Sequence, residues 1–415
     1  MHFPIPIFYY LSNMASIRQL FLKHVAPTTP FPLMLEIERS EGIYLFSPEG
    51  NRWMDLISGI GVSSLGHCHP KVVKAVKTQA DRYLHTMVYG EHIQAPQVKL
   101  AKLLADNLPE NLNSVYFVTS GSEAVEGAMK LAKKATGRTE IISAKNAYHG
   151  SSHGSASLMW PTDFTQAYYP LVPDINHISF NDETDLGLIT SRTAGVVIET
   201  VQGEAGIQPP KNDYLKKLRK RCDETDTLLI LDEIQAGYGR TGSLFAFEQY
   251  DVIPDILLLA KGMGGGMPIG AFVSSEELMK TLSVNPILGH ITTFGGHPVS
   301  CAAALATLEY LLESSLIEEV PDKANLFRKL LVHPEIREVR NAGLMMAVQL
   351  ESSDFLQDTI AHCLDNGIMI DWFLFNDSSL RIAPPLIITS DEIKEACRVI
   401  LDGIEVAMKK RKKPH

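Results

Sequence analysis

The sequence has few cysteines, and their spacing fits neither a disulfide framework nor a zinc site. The five are scattered and odd in number, with no C-x-x-C pair among them: Cys68, Cys222, Cys301, Cys363 and Cys397. This predicts reduced thiols in a cytoplasmic protein. The run His67-Cys68-His69 contains metal-ligating residue types. Alternate residues of an extended segment face opposite ways, however, and no second ligand cluster accompanies the run, so we expect no bound metal.

Positive charge and long apolar runs are also scarce. Lysine and arginine total 38 against 48 aspartate and glutamate residues, a formal net charge of −10. Contacts to nucleic acid need a basic patch, so we expect no nucleic-acid partner. The basic tail at residues 409–413 is a local exception, interpreted as a solvated end. The start, MHFPIPIFYYLSN, lacks a basic flank and a helix-long apolar run, which predicts neither a signal peptide nor a membrane span. Met14 is an alternative start, testable by intact mass.

Short apolar runs alternate with helical patterns through the middle of the chain. The strand candidates are VYFVT (115–119), IISA (141–144), GVVIE (195–199), LLILD (228–232), ILLLA (256–260) and AFVS (271–274). Apolar strands separated by helices predict an α/β fold, with a mostly parallel sheet between helices. Ligands of such sheets bind beyond the carboxyl ends of the strands. The length of 415 residues exceeds one usual core, and the pattern from about residue 299 onward predicts a smaller second domain.

A glycine-rich segment, LAKGMGGGMPIGA at residues 259–271, begins with Lys261 near its edge. A Walker-type phosphate loop needs its glycines before Gly-Lys-Ser/Thr, so the order here excludes one. GYGRTG (237–242) matches a dinucleotide fingerprint but opens no helical pattern, and GSSHG (150–154) matches a hydrolase elbow but does not leave a strand directly. Two interpretations remain, namely a hinge with an incidental lysine, or a desolvated lysine that bonds covalently to an aldehyde cofactor such as pyridoxal phosphate.

Such a cofactor also needs a phosphate site, a carboxylate for its ring nitrogen and an aromatic cover. After VYFVT, Ser120 and Glu123 fit a capping box, and the N–H groups of the helix start could bind an anion. Asp232 ends the LLILD strand, where a carboxylate would keep the pyridine nitrogen protonated. Tyr148 follows the IISA strand. A plain helix cap, a turn-capping aspartate and a core tyrosine are the structural alternatives, but the three features together favour a cofactor site.

The motifs resemble those of the class III aminotransferases, pyridoxal-phosphate enzymes of fold type I, among them acetylornithine, ornithine and 4-aminobutyrate aminotransferases. The resemblance runs from about residue 36 nearly to the end and is carried by GIGVSSLGHCHPKVVKAV, FVTSGSEAVEGAMKLAKKATGR, YHG, IETVQGEAGI, LLILDEIQAGYGRTG, LAKGMGGGMPIGA, TTFGGHP and LRIAPPL. It implies an N-terminal segment (1–60), a large cofactor domain with a seven-stranded sheet (61–310) and a small α+β domain (311–415).

The resemblance also implies roles around the cofactor. Lys261 would carry the cofactor and move the proton, and Asp232 would pair with the ring nitrogen. Gln235 would reach the ring hydroxyl, while Ile234 and Tyr148 would pack against the two ring faces.

The phosphate and the surroundings of the ring are implied in the same way. Gly121 and Ser122 would hold the phosphate together with the partner subunit's Thr293, which implies a homodimer with shared active sites. His149 and Glu199 would support the site.

The resemblance also implies that Glu204 and Arg381 recognise the substrate. Arg381 would bind a substrate carboxylate, and Glu204 would neutralise the arginine when a different substrate occupies the pocket. The ornithine and 4-aminobutyrate enzymes usually continue their His-Gly with a carboxylate-binding arginine, where this chain has Ser151. The expected reaction is ping-pong transfer of an amino group, expected to be an ω-amino group, to a 2-oxo acid such as 2-oxoglutarate. A racemase, aminomutase or decarboxylase on the same scaffold, and more remotely a serine hydrolase or non-catalytic module, remain alternatives.

Overall fold

The computed structural model describes residues 16–411. The strands are β1 (Arg39–Glu41), β2 (Tyr44–Phe46), β3 (Arg52–Asp55), β4 (Ser114–Val118), β5 (Glu140–Ala144), β6 (Ile175–Ile178), β7 (Thr193–Glu199), β8 (Leu228–Asp232), β9 (Ile256–Leu259), β10 (Gly270–Ser274), β11 (Glu338–Ala342), β12 (Met345–Gln349), β13 (Ile368–Met369), β14 (Asp371–Phe373) and β15 (Asn376–Ile382). The predictions for MHFPIPIFYYLSN and for the start at Met14 lie outside the described residues, as do the last residues of the basic tail.

The α-helices range from single turns to six turns. They are α1 (Ile17–His24), α2 (Ser58–Gly61), α3 (Pro70–Ala80), α4 (Ala95–Asp106), α5 (Gly121–Thr136), α6 (His153–Ala156), α7 (Tyr214–Glu224), α8 (Glu276–Lys280), α9 (Pro298–Glu313), α10 (Val320–Leu330), α11 (Ser353–Asp365) and α12 (Ser390–Arg411). Short 3₁₀ helices include Ala246–Tyr250 and Lys261–Gly264. Within the described residues, no helix is long and apolar enough to cross a membrane.

A seven-stranded sheet in the order β4-β10-β9-β8-β7-β5-β6 forms the centre of the fold. β10 runs antiparallel to both of its neighbours, and the remaining pairs are parallel. Its inner strands are buried on both faces because they consist almost wholly of aliphatic residues. The α/β prediction is confirmed, including all six strand candidates. The edge strand β6 has no such signal, since its sequence INHI is only partly buried.

Helix α5 begins where β4 ends, and its start sets up one side of the site. The Ser120 side chain accepts a hydrogen bond from the backbone N–H of Glu123 at 3.2 Å. The predicted capping box is wrong in its second half, because the Glu123 carboxylate accepts from the backbone N–H and the hydroxyl of Thr119, both at 2.7 Å. Farther along the helix, a Cβ on Gly127 would lie 2.3 Å from the Phe272 ring, so glycine allows α5 to approach β10.

Two smaller sheets lie outside the central one, in the orders β1-β2-β3-β13 and β11-β12-β15-β14. Helix α12 packs against α11, which in turn packs on β15. The segment after β15 is tied to the N-terminal part of the chain, since the Ser58 hydroxyl donates to the Ala383 carbonyl at 2.7 Å.

Two motifs set aside on sequence grounds have structural roles. No α-helix opens at GYGRTG; its Arg240 is 1% exposed and donates to the carbonyl of Pro384, just after β15. In GSSHG, the Ser152 hydroxyl donates to the Glu126 carboxylate at 2.8 Å. His67 hydrogen-bonds Asp55 at 2.9 Å, and no group of residues that could hold a metal occurs among residues 16–411.

Candidate active site

A cavity of about 440 Å³ opens at the carboxyl ends of the central strands. This volume is within the usual range of small-molecule sites. Eleven of the residues that the sequence singled out line it: Ser120, Gly121, Ser122, Tyr148, His149, Glu199, Glu204, Asp232, Ile234, Gln235 and Lys261. The parallel order β7-β8-β9 brings the strand ends at Glu199, Asp232 and Leu259 to one edge, as expected for a ligand site of this fold class.

Lys261 lies two residues beyond the end of β9 and opens a 3₁₀ helix. Its backbone has φ +45°, a left-handed conformation that is uncommon for a residue with a side chain. Burial lowers the pKa of its amine, while the carboxylates of Glu204 and Asp232 oppose the shift. The net lowering makes the neutral, nucleophilic amine easier to reach than in an exposed lysine.

Most of the glycines after Lys261 lie close to other protein atoms and do not line the cavity. A Cβ on Gly262 would lie 2.9 Å from the Ser64 hydroxyl, and one on Gly265 would lie 2.2 Å from the Thr307 hydroxyl. Gly266 is the one that lines the cavity, with no atom within 4 Å of a built Cβ. Close packing against the protein therefore accounts for these two glycines and also for Gly270, whose built Cβ would lie 2.4 Å from the Ser120 carbonyl oxygen.

Asp232 and His149 form a buried pair beneath the cavity. One carboxylate oxygen of Asp232 accepts from the backbone N–H of Ile234 at 2.9 Å, and the other is 2.7 Å from Nδ1 of His149. Burial tends to lower the pKa of His149, but the hydrogen bond and charge of Asp232 outweigh it and raise the pKa. Nε2 of His149 is buried without a protein partner.

Glu199 is a buried carboxyl beside this pair. One of its oxygens accepts from the backbone N–H of Gly203 at 3.1 Å, and the other has no protein partner. Burial raises its pKa to about 8, with contributions from the charges of Asp232 and Glu204 and an opposing one from His149. The raised pKa favours the protonated form of Glu199, which is able to donate a hydrogen bond into the cavity.

The N-terminus of α5 faces the cavity at Gly121 and Ser122. The first N–H groups of a helix have no carbonyl partner within it, and the helix dipole favours an anion there. A Cβ on Gly121 would lie 2.9 Å from Ile234, which packs against this turn. The Ser122 hydroxyl accepts from the backbone N–H of Ser151 at 3.1 Å.

Arg381 is almost fully buried, with 3% of its surface exposed, and is shared by two carboxylates. Its Nη2 donates to Glu204 at 2.8 Å and to the Trp372 carbonyl at 2.8 Å. Its Nε lies 3.1 Å from a carboxylate oxygen of Asp371. Sequence reasoning found Glu204 and Arg381 but missed Asp371, which faces Arg381 across the β14–β15 pair.

Two further predicted residues lie at or outside the rim. The Ser151 hydroxyl is 3.0 Å from the Tyr148 hydroxyl, and Ser151 is not among the residues that line the cavity. The Thr293 hydroxyl is 3.3 Å from that of Tyr89 and does not line the cavity of its own chain.

These residues fit pyridoxal phosphate. The cavity offers an amine with a lowered pKa, a buried carboxylate, a helix N-terminus and an aromatic residue in Tyr148. Buried polar atoms of His149 and Glu199 that lack protein partners match a ligand with polar groups at that depth.

Comparison with known proteins agrees with this chemistry. The family model described as "Aminotransferase class-III" matches residues 25–404. An acetylornithine aminotransferase from Methanopyrus kandleri is 40% identical over 389 residues, which cover 92% of this chain and 97% of the relative. One from Methanocaldococcus jannaschii is 41% identical over 390 residues, covering 91% and 95%.

Solved structures give the same result at the level of the fold. An ornithine aminotransferase from Toxoplasma gondii, described with partial occupancy of PLP at its active site, has a TM-score of 0.89 at 28% identity and covers 100% of both chains. An adenosylmethionine-8-amino-7-oxononanoate aminotransferase from Methanocaldococcus jannaschii has a TM-score of 0.86 at 29% identity, covering 94% of this chain and 98% of that one. The chain belongs to the class III aminotransferases, which are pyridoxal-phosphate-dependent enzymes of fold type I.

Proposed function

We propose that this enzyme moves an ω-amino group from an amine or amino acid to a 2-oxo acid such as 2-oxoglutarate, in two successive half-reactions. The observation that carries the proposal is the buried Arg381, which is held by Glu204 at 2.8 Å within the same site as Lys261. An arginine is suited to bidentate binding of a carboxylate, and a movable carboxylate partner lets the same site accept substrates with and without that group.

Lys261 is proposed to carry the cofactor and to move the proton that transamination requires. Bound pyridoxal phosphate would supply an electron sink for the substrate carbon. Its ring nitrogen would be kept protonated by Asp232, whose orientation is fixed by the hydrogen bond with His149 and by the N–H of Ile234. Because burial lowers the pKa of Lys261, its released amine can take up a proton and return it near neutral pH.

The remaining cavity residues are proposed to bind and orient. Gly121 and Ser122, at the helix N-terminus that faces the cavity, would hold the phosphate, and Tyr148 and Ile234 would pack against the ring faces. Gln235 is proposed to reach the ring hydroxyl; its side-chain oxygen passes so close to Gly203 that a Cβ there would be 1.9 Å away. Glu199 supports the site as a neutral acid.

The acceptor half-reaction depends on the release of Arg381. Glu204 accepts hydrogen bonds from Arg381 and from the backbone N–H of Leu374 at 3.0 Å, so it has a second partner near its present position. When a 2-oxo acid binds, Glu204 is proposed to turn away so that the carboxylate of the acceptor pairs with Arg381. When an amine without that carboxylate binds, Glu204 stays and neutralises the guanidinium.

The donor is proposed to be recognised without a second arginine clamp. Ser151 occupies the position where related ornithine and 4-aminobutyrate enzymes are expected to have that arginine, and its hydroxyl faces Tyr148. The names of the relatives make acetylornithine the first donor to test, and Ser151 makes amines without a carboxylate near this point the second class.

The position of Thr293 is the basis for proposing a homodimer with shared active sites. This residue lies outside the cavity of its own chain, in a region with exposed apolar side chains that a second copy could cover. The most exposed of them include Ile93, Ile287, Leu288 and Phe294. The domain limits at residues 60/61 and 310/311 and a cytoplasmic location also remain proposals.

The experiment that tests the proposed function is a panel of amine donors with 2-oxoglutarate or pyruvate as acceptor. Consumption of donor with stoichiometric formation of glutamate or alanine is the expected result. Turnover without use of the 2-oxo acid would indicate a racemase, aminomutase or decarboxylase instead. Lys261→Ala should lose both turnover and the visible absorption of the enzyme-bound cofactor, and retention of both would refute the role of the lysine.

A further inference from the structure

Arg381 has two acidic partners in the structure, although the proposed exchange of partners needs only one. Glu204 is hydrogen-bonded to Nη2, and the Asp371 carboxylate lies 3.1 Å from Nε. The contact with Asp371 is an ion pair without a well-aligned hydrogen bond, and Nη1 of Arg381 has no protein partner. The two carboxylates thus share one guanidinium.

The position of Asp371 follows from the hairpin that carries Arg381. Asp371 and Arg381 are paired residues of the antiparallel strands β14 and β15. The next residue along β14, Trp372, offers its carbonyl to Nη2, and the ring of Phe373 lies 4.6 Å below the guanidinium. This hairpin therefore holds one side of the guanidinium, while Glu204 approaches from the central sheet.

We propose that Asp371 is a positioning residue that keeps the Arg381–Glu204 pair openable, by remaining paired with the guanidinium when Glu204 turns away to admit the carboxylate of the 2-oxo acid. The inference rests on the proposed function, in which Arg381 binds the acceptor. A buried cation that loses its only partner is strongly disfavoured. With Asp371 in place, Arg381 is not left unpaired during the exchange. The N–H groups of Nη1, and the one of Nη2 that Glu204 gives up, are then available to the incoming carboxylate.

Repulsion between the two acids acts in the same direction. Burial raises the pKa of Asp371 to about 6; Arg381 opposes this rise, and the charges of Glu204 and Asp55 add to it. Asp371 is thus charged at pH 7 to 8 and weakens the hold of Glu204 on the shared guanidinium. Without Asp371, Glu204 and Arg381 form a closed one-to-one pair that a substrate carboxylate has to break alone.

The test measures the two half-reactions separately in the holoenzyme, from the change in cofactor absorbance. Asp371→Asn keeps the size of the side chain and removes its charge, and Asp371→Glu retains the charge. We expect Asp371→Asn to raise the dissociation constant of 2-oxoglutarate about tenfold, with Asp371→Glu within about threefold of the wild type. The half-reaction with the preferred amine donor should change less than about twofold, because Arg381 remains with Glu204 in that step.

The control and the coupling measurement separate this role from a structural one. Asp377→Asn removes an exposed acid from the same hairpin and should change neither half-reaction. In a Glu204→Gln background the effect of Asp371→Asn should shrink, since Asp371 acts by easing the exchange of Glu204.

Three results would overturn the inference. Equal losses in both half-reactions would show a merely structural pair, and so would an undiminished effect in the Glu204→Gln background. Tighter binding of 2-oxoglutarate by Asp371→Asn would show that Asp371 competes with the acceptor. If the wild type used no 2-oxo acid at all, the proposed function would fail and the role of Asp371 with it. If the wild type turned over normally and the Asp371 variants did not differ from it, only the role of Asp371 would be refuted.

Discussion

Glu199 should make the cofactor-free protein less stable as the pH rises. Its folded-state pKa of about 8 lies above the ordinary value of 4.5, so the fold favours the neutral acid. The stabilising contribution is complete below pH 4.5 and is lost as the pH rises through about 8, because the unfolded chain releases the proton first. Glu199→Gln removes this dependence, while the amide oxygen can still accept from the Gly203 N–H.

The magnitude follows from the displacement of the pKa. A rise from 4.5 to about 8 corresponds to a ceiling on the order of 5 kcal/mol, at about 1.36 kcal/mol per pKa unit. Glu199 lines an open cavity that water can enter, which stabilises the charged form and reduces the penalty. We expect the variant to gain about 2 kcal/mol relative to the wild type between pH 5 and pH 9.

Urea unfolding of both cofactor-free proteins across this pH range measures the effect. The difference between them isolates Glu199 from other groups that titrate in the same range. Glu277→Gln, which changes an exposed acid, serves as the control and should follow the wild type at every pH. Parallel stability curves for Glu199→Gln and wild type would refute the assignment of a buried neutral acid.

Three other predictions concern the cofactor and the substrates. Ser151→Arg should increase the use of donors or acceptors with a second carboxylate, and an unchanged substrate panel would show that this position does not set specificity. Thr293→Val should weaken binding of pyridoxal phosphate about 10- to 100-fold, as expected for one lost hydrogen bond to a charged group. Sedimentation should show that the wild type and the variant are both dimers, and a monomeric wild type would contradict the shared site. Asp232→Asn should lower kcat about 10²- to 10³-fold, and near-normal turnover would argue against the pairing with the ring nitrogen.

The central sheet could be predicted because its strands are buried on both faces. A strand such as β7, TAGVVIE, is apolar without alternation, a pattern typical of a strand in a parallel sheet covered by helices on both faces. β6 could not be predicted, since an edge strand needs apolar residues on one face at most and INHI is too short to show a period.

The cofactor side of the site was accessible to sequence reasoning for a related reason. Lys261 and Asp232 each follow or end a recognisable buried strand, and parallel strands end at one edge, whereas Glu199 was implied only by the family resemblance. The reasons for the glycines were not accessible, because Gly265 is required by Thr307, a residue on α9 that no local pattern connects to it.

Asp371 escaped prediction because its hairpin lacks the usual turn chemistry. β14 and β15 are joined by the two residues Leu374 and Phe375, whereas two-residue hairpins favour Asn-Gly or Asp-Gly. Neither residue has a positive φ. Their backbone N–H groups donate instead to Glu204, at 3.0 Å to its carboxylate and 3.1 Å to its carbonyl. The tertiary contact with Glu204 therefore supports the turn that aligns Asp371 with Arg381, in addition to the pairing of β14 with β15.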